Sequence, residues 1–217
     1  WNAKRTLIDD AFWGFVGEFT AGKKKPFCSS TACVVMINKI TGEIKFGNLG
    51  DSGFIVLSPL DSSEGLGTKY RIKFKSESQQ HRFNMPYQIT LAPPNGRVSD
   101  TSGLTATNES KNPPTNLIVE SGDIVLLMTD GVLDNIFDDE LEDLVSTSVT
   151  INSKKHTPSE VPRLIAQDIA FKARYFSEDS RRESPFSVEA RKHGLSYLGG
   201  KEDDITVIAS VIYNKKQ

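Results

Sequence analysis

Carboxylates stand at four places where strand-like segments end or turn, and they are the residues best suited to chemistry in this sequence. The positions are Asp51, Asp130 with Asp134, Asp203 and Asp204. No His or Cys accompanies them locally, so the donors are all oxygens, which suit Mg²⁺ or Mn²⁺ and not zinc or copper. Three or more carboxylates brought together without a cation would repel and raise their own pKa values. If they meet in space, a metal is therefore the natural neutraliser.

Most of these aspartates also have a structural interpretation when each is taken alone. Asp51 lies in Gly-Asp-Ser-Gly, where a turn favours Asp in any case. Asp134 could belong to the start of the next helix, and Asp203-Asp204 could be solvated before a strand. A single Asp of this kind is therefore a weak indication of function.

Asp130 carries the strongest signal. It follows the apolar run at residues 124–128, which is short and β-rich enough to be a strand buried on both faces. A buried strand that ends in a carboxylate presents a rigid charged group at the end of a sheet. Gly131, the next residue, permits close backbone approach.

The elements around these carboxylates do not alternate regularly between strand and helix. Strand-like runs are predicted at 31–37, 43–49, 53–57, 70–75, 124–128 and 205–212. The first three should form an antiparallel meander, because their loops are too short for a parallel crossover. Helices are predicted at 2–20, after Asp138 or Asp139 as a short helix, from Thr157 with a capping box, and from Ser184-Pro185 to Gly194. The helix after Thr157 has an apolar stripe of Val161, Leu164, Ile165, Ile169, Ala173 and Phe176. This order indicates an α+β fold with largely antiparallel sheet and helices packed outside.

Residues 76–116 show little regular signal, and their second half is rich in Pro, Asn, Ser, Thr and Gly. A loop this long in a compact domain is usually functional or mobile. Strong strand signals lie on both sides of it, so we interpret the segment as a surface flap and not as a linker.

Composition bounds the remaining possibilities. At 217 residues, with 37% hydrophobic and 25% charged residues, the chain is typical of one soluble globular domain. A net charge of −2 gives no electrostatic reason to expect nucleic acid or an anionic membrane as a partner. No apolar run approaches the roughly 18 residues of a membrane span. Cys28 and Cys33 have the wrong spacing for a Cys-x-x-Cys pair and are predicted to be free thiols.

Four motifs occur in a fixed order across most of the chain: SSTACVV at 29–35, NLGDSG at 48–53, GDIVLLMTDGVLDN at 122–135 and GKEDDITV at 200–207. Together they resemble the metal-dependent protein serine/threonine phosphatases of the PPM, or type 2C, family. Residues 81–88 and 199–205 are similar to the mitochondrial-type branch of that family. The resemblance implies a four-layer αββα sandwich, with two central, mainly antiparallel sheets flanked by helices.

The resemblance also implies an activity and its cofactors. The expected reaction is hydrolysis of phosphoserine and phosphothreonine in protein substrates by metal-activated water at a pair of Mn²⁺ or Mg²⁺ ions. It implies a location in mitochondria, with the matrix favoured. The segment at 76–116 occupies the position of the family's flap beside the cleft, where substrate choice would be made.

Ligand roles carry over residue by residue from the resemblance. Asp130 and Asp203 match ligands of the metal pair, and Asp204 stands where many relatives have Asn. Asp51 and Asp134 resemble the carboxylates that form, with Asp130, a weaker third metal site. Gly131 would be backbone support.

The sequence departs from the family pattern at its N-terminal side. Family members carry an upstream Asp-Gly whose Asp bridges both metals, and a basic residue that grips the phosphate. The only Asp-Gly in this chain is Asp130-Gly131. The chain also starts at Trp1 and not at Met, so we expect residues 1–217 to be one PPM-type domain that lacks its N-terminal part. The missing ligand keeps an alternative open, a catalytically inactive relative that serves as a binding or regulatory module.

Overall fold

The computed structural model describes residues 28–60, 68–92, 97–99 and 117–213. The predicted helix at 2–20, residues 100–116 of the predicted flap and the side chain of Cys28 lie outside the described parts. The described residues belong to two compact units. The first contains the chain up to residue 52 and residues 77–118; the second contains residues 53–76 and the chain from residue 119. That the chain is a single domain stays a prediction.

The strands, in chain order, are β1 (Cys28–Ser30), β2 (Ala32–Ile37), β3 (Ile44–Leu49), β4 (Gly53–Leu60), β5 (Lys69–Lys75), β6 (Gln80–Arg82), β7 (Met85–Pro86), β8 (Ile89–Ala92), β9 (Arg97–Ser99), β10 (Ile124–Met128) and β11 (Val207–Val211). The helices are α1 (Asp130–Leu133), α2 (Asp138–Asn152), α3 (Val161–Ser177) and α4 (Pro185–Lys192).

The first unit is built from short antiparallel pairings. Strands β2 and β3 form the predicted hairpin, and the Asn38 side chain in its turn accepts hydrogen bonds from two following backbone N–H groups. Strand β8 pairs with both β1 and β9, and β6 pairs with β7. Residues 76–92 and 97–99 are therefore more regular than their sequence indicated. Each of these strands has only two to four residues, which is too short for a periodic pattern to be recognised.

The predicted three-stranded meander is wrong at its last step. Strand β3 pairs with β2, whereas β4 belongs to a different sheet with the order β11-β10-β4-β5. Both edges of β4 are occupied, one by β10 and the other by β5, so β4 has no free edge for β3. The short connection between β3 and β4 would permit these two strands to pair. Residues 53–57 of β4 are fully buried, however, and this favours a central position for β4 in its own sheet.

The second unit is a four-stranded antiparallel sheet with helices α2 and α3 packed against it and against each other. Helix α3 contributes the predicted apolar stripe, with Ile165, Ile169 and Ala173 completely buried. Helix α2 is longer than predicted, because it continues past Val145 to Asn152, and Ser148 in this added part is buried. Helix α4 begins at Pro185 with Ser184 as its N-cap and ends before Gly194, as predicted. The α+β fold with antiparallel sheets flanked by helices is confirmed.

None of the helices within the described ranges has the length and apolar character needed to cross a membrane.

Candidate metal centre

Strand β10 is central in its sheet and delivers Asp130 at its C-terminal end. It pairs along its full length with β4 on one side and β11 on the other. Thr129 then links this end to the segment before β11. Its hydroxyl donates to the carbonyl of Asp204 at 2.9 Å and accepts from the N–H of Thr206 at 3.0 Å. The two chain segments that carry the candidate carboxylates are therefore fixed to each other.

A close backbone approach at Gly131 brings these segments together. A Cβ atom at this position would lie 2.5 Å from the carbonyl oxygen of Asp204, closer than real Cβ contacts allow. Helix α1 starts at Asp130, and the N–H of Asp134 donates to the Asp130 carbonyl at 2.7 Å. Residues four apart on a helical turn lie on one face. The carboxylates of Asp130 and Asp134 are thereby presented on the same side.

Three of the predicted carboxylates converge on one ammonium group, that of Lys201. The Lys201 Nζ lies 2.8 Å from Asp130 Oδ2, 2.7 Å from Asp134 Oδ2 and 3.0 Å from Asp203 Oδ2. The lysine side chain is 16% exposed, whereas the carboxylates are 25%, 27% and 36% exposed in the same order. The cluster therefore opens to solvent on its acidic side.

The charges of this cluster shift pKa values in opposite directions. Burial acts to lower the pKa of Lys201, but the charges and hydrogen bonds of Asp134 and Asp130 outweigh it and raise that pKa. Burial acts to raise the pKa of Asp203, but hydrogen bonds from Lys201 and the Asp204 backbone lower it below its usual value. These two groups are therefore stabilised in their charged forms at neutral pH.

The backbone of Lys201 is held by Asn135, whose side chain is completely buried. The Asn135 amide donates to the carbonyls of Gly131 and Lys201 at 2.8 and 2.9 Å, and accepts from the Lys201 N–H at 2.9 Å. Just before Lys201, Gly200 passes so close to the end of α3 that a Cβ would lie 2.1 Å from the Phe176 carbonyl oxygen. Lys201 therefore starts from a well-defined backbone position.

The predicted site residues have different positions in the structure. Asp130, Asp134 and Asp203 lie together around Lys201. Asp204 contributes main-chain atoms to the site, and its carboxylate is not among the partners of the ammonium in the described part of the chain. Asp51 lies in the turn after β3, in the first unit. The metal-ligand roles of all five aspartates, and the support role of Gly131, stay predictions.

The donor set fits a hard divalent cation in its chemistry. Three carboxylates converge on one point, and that point is occupied by positive charge. Within residues 28–213, as far as they are described, no group of three or more His, Cys, Asp or Glu side chains has the arrangement of a ready metal site. The structure thus shows three carboxylates arranged around an ammonium, and a metal at this point stays a prediction.

Two residues of this centre, Lys201 and Asn135, were not predicted from the sequence as site residues. Lys201 had a recognisable signal, because it is the only basic residue in the acidic motif at 199–205 and clustered carboxylates need a counter-ion. Asn135 had none, since an Asn after a short helical turn is ordinary turn chemistry.

Comparisons with known proteins bear on the family and the fold. The chain is 35% identical over 188 residues to a protein phosphatase PTC7 homolog of Danio rerio, a match that covers 85% of this chain and 55% of that protein. It is 35% identical over 191 residues to probable protein phosphatase 2C 55 of Arabidopsis thaliana, covering 87% of this chain and 34% of that protein. The chain spans about half the length of the PTC7 homologs it matches. No family model matches it.

Among solved structures, the photosystem II phosphatase PBCP has the same fold. The two structures align with a TM-score of 0.62 over 94% of this chain and 77% of that chain, at 24% identity. The antiparallel sheets flanked by helices are therefore shared with this phosphatase. The chain belongs to the PPM, or type 2C, family of protein phosphatases. The predicted family is confirmed.

Proposed function

We propose that the protein to which this chain belongs is a metal-dependent protein serine/threonine phosphatase. The observation that carries the proposal is the convergence of Asp130, Asp134 and Asp203 on one cation at the end of β10, in a chain of this family. Its substrates would be phosphorylated proteins, and residues 76–116 would contribute to their selection.

In this proposal Asp130 and Asp203 hold two Mn²⁺ or Mg²⁺ ions. Asp51 and Asp134, with Asp130, hold a weaker third ion, and Asp204 has a less direct part. Bound divalent ions supply Lewis-acid activation of water and neutralise charge on the phosphoryl group. The chain itself orients the backbone of the ligands through the hydroxyl of Thr129 and the close approach at Gly131, so that little backbone movement would be needed on binding.

A second candidate function is a catalytically inactive PPM-fold module that binds or regulates other proteins. The observation that favours it is the ammonium of Lys201, which already satisfies the three carboxylates. In such a protein the carboxylates would be retained for structure, and no divalent ion would be required.

We propose a mitochondrial location, with the matrix favoured, on the likeness of residues 81–88 and 199–205 to the mitochondrial-type branch. Co-fractionation of the tagged full protein with a matrix marker tests this location. Recovery with a cytosolic marker would contradict it.

Phosphate release from a phosphothreonine peptide separates the two candidate functions. The full protein is assayed with Mn²⁺, with Mg²⁺ and with EDTA, alongside Asp130→Asn. The matched control is Asp143→Asn, a change at an exposed aspartate of α2. The phosphatase proposal expects metal-dependent release that Asp130→Asn lowers by about 100-fold or more and that Asp143→Asn leaves unchanged. The phosphatase proposal is contradicted if neither Mn²⁺ nor Mg²⁺ supports phosphate release. It is also contradicted if Asp130→Asn releases phosphate as fast as the wild type.

A further inference from the structure

We propose that Lys201 is a resident counter-ion of the metal centre, which holds the metal-free carboxylates together and leaves them when a divalent ion binds. The inference deepens the proposed function and rests on it, because the same carboxylates are the proposed ligands. In this inference, Lys201 lowers the affinity of the carboxylates for a divalent ion.

The hydrogen-bonding capacity of the ammonium matches its surroundings. A lysine ammonium has three N–H donors and no acceptor. Lys201 Nζ has one carboxylate oxygen from each of Asp130, Asp134 and Asp203 within 3.0 Å. All three donors therefore have a partner, and the three carboxylates are held at one point by a single group.

The charge at this point remains unbalanced. Three carboxylates and one ammonium sum to −2, so the lysine relieves the repulsion among the carboxylates only in part. A divalent ion brings twice the charge of the ammonium. It also approaches carboxylate oxygens to about 2.1 Å, closer than the ammonium does. Since like charges repel, the ion and the ammonium compete for the same oxygens.

The lysine can leave without a change in the backbone. Its main chain is held on both sides by the buried Asn135 amide, whereas its four-carbon side chain is flexible. The ring of Phe186 also lies near the ammonium, and its centroid is 5.2 Å from Lys201 Nζ. Metal binding is thus coupled to the rotamer of one side chain.

The affinity of Lys201→Met for Mn²⁺ tests this competition, because methionine is unbranched and only one atom shorter than lysine, and it removes the charge. Mn²⁺ binding to the full protein is measured by electron paramagnetic resonance of the free ion. We expect Lys201→Met to bind Mn²⁺ about tenfold more tightly than the wild type, within the usual range of coupling between two binding events. We also expect the metal-free variant to melt about 3 °C lower. The matched control is Lys192→Met, which removes an exposed ion pair to Glu189 and should change neither value.

A second measurement needs no destabilised variant. In ¹H–¹⁵N spectra of the metal-free wild type, the Lys201 ammonium should give a protected signal, identified by its absence in Lys201→Arg. Saturating Mg²⁺ should abolish that signal, because the ammonium loses its three partners. A signal that persists with bound Mg²⁺, or a Lys201→Met variant with unchanged or weaker Mn²⁺ affinity, overturns the role of Lys201 alone. Absence of Mn²⁺ binding in every variant overturns this inference and the proposed function together.

Discussion

The carboxylates at the two ends of strand β10 differ in their hydrogen bonding and in their charge balance. At the N-terminal end, Asp123 is 2% exposed, and its carboxylate has three hydrogen-bond donors. Its carboxylate accepts from the Ser58 hydroxyl at 2.7 Å, the Glu120 N–H at 3.0 Å and the Lys73 ammonium at 3.2 Å. At the C-terminal end, three carboxylates share the single ammonium of Lys201.

Charge distinguishes the two ends as clearly as hydrogen bonding does. Asp123 and Lys73 sum to zero, whereas the three carboxylates around Lys201 leave −2. A buried carboxylate with a full set of donors is explained by the stability of the fold. Surplus negative charge held together by the backbone is not, because it opposes folding. This difference supports a structural role for Asp123 and agrees with the metal-binding role that we propose for the carboxylates around Lys201.

The largest expected effect is the loss of stability in Asp123→Asn. The new amide would direct its NH₂ group at one of these donors, and the ion pair between the buried Asp123 carboxylate and the partly exposed Lys73 ammonium would be lost. We expect the free energy of unfolding of the metal-free protein to fall by about 3 kcal/mol, measured by urea denaturation in EDTA. Asp143→Asn, on the exposed face of α2, should stay within about 0.5 kcal/mol of the wild type. A cost below about 1 kcal/mol for Asp123→Asn would remove the distinction between the two ends.

The elements at both ends were predictable from the sequence where their signals were local. The apolar run before Asp130, the stripe on α3 and the Ser184-Pro185 start of α4 all appear in the structure close to their predicted places. Each depends on residues within one or two turns of each other. The position of β4 between β10 and β5 was not predictable in this way, because it depends on pairings distant in sequence.

The centre itself was predicted only in its acidic part. Motif resemblance indicated that Asp130 and Asp203 meet, and their carboxylates do share one ammonium, although their ligand roles stay predictions. Lys201 contacts Asp130 across 71 positions of the chain, and no periodicity or local motif encodes such a contact. A count of charges in the predicted cluster could have indicated that a basic residue was needed, but not which one.

An intermediate effect on stability is expected from Asn135→Ala, which removes the side-chain amide that is hydrogen-bonded to the Lys201 backbone. The variant leaves the Gly131 and Lys201 carbonyls and the Lys201 N–H without their partner at a buried position. We expect the free energy of unfolding to fall by about 2 kcal/mol and phosphatase activity to fall by about 10- to 100-fold. Activity is measured at saturating Mn²⁺.

The control for Asn135→Ala is Asn152→Ala, at the end of α2. Asn152 also donates to neighbouring side chains, those of Ser148 and Asp168, but it has no contact with Lys201 among the bonds described. It should cost some stability and leave activity unchanged. Equal losses of activity in both variants would show that Asn135 acts on stability alone.

The smallest effect on stability is expected for Asp134→Asn, a change in the acidic cluster around Lys201. This change removes an ion pair with Lys201, but it also removes repulsion between Asp134 and the carboxylates of Asp130 and Asp203. The two contributions oppose each other, and Asp134 is 27% exposed. We expect the stability of the metal-free protein to change by no more than about 0.5 kcal/mol, by urea denaturation in EDTA. The same Asp-to-Asn change thus costs much at one end of β10 and little at the other; a loss near that of Asp123→Asn would mean that the acidic cluster is structural.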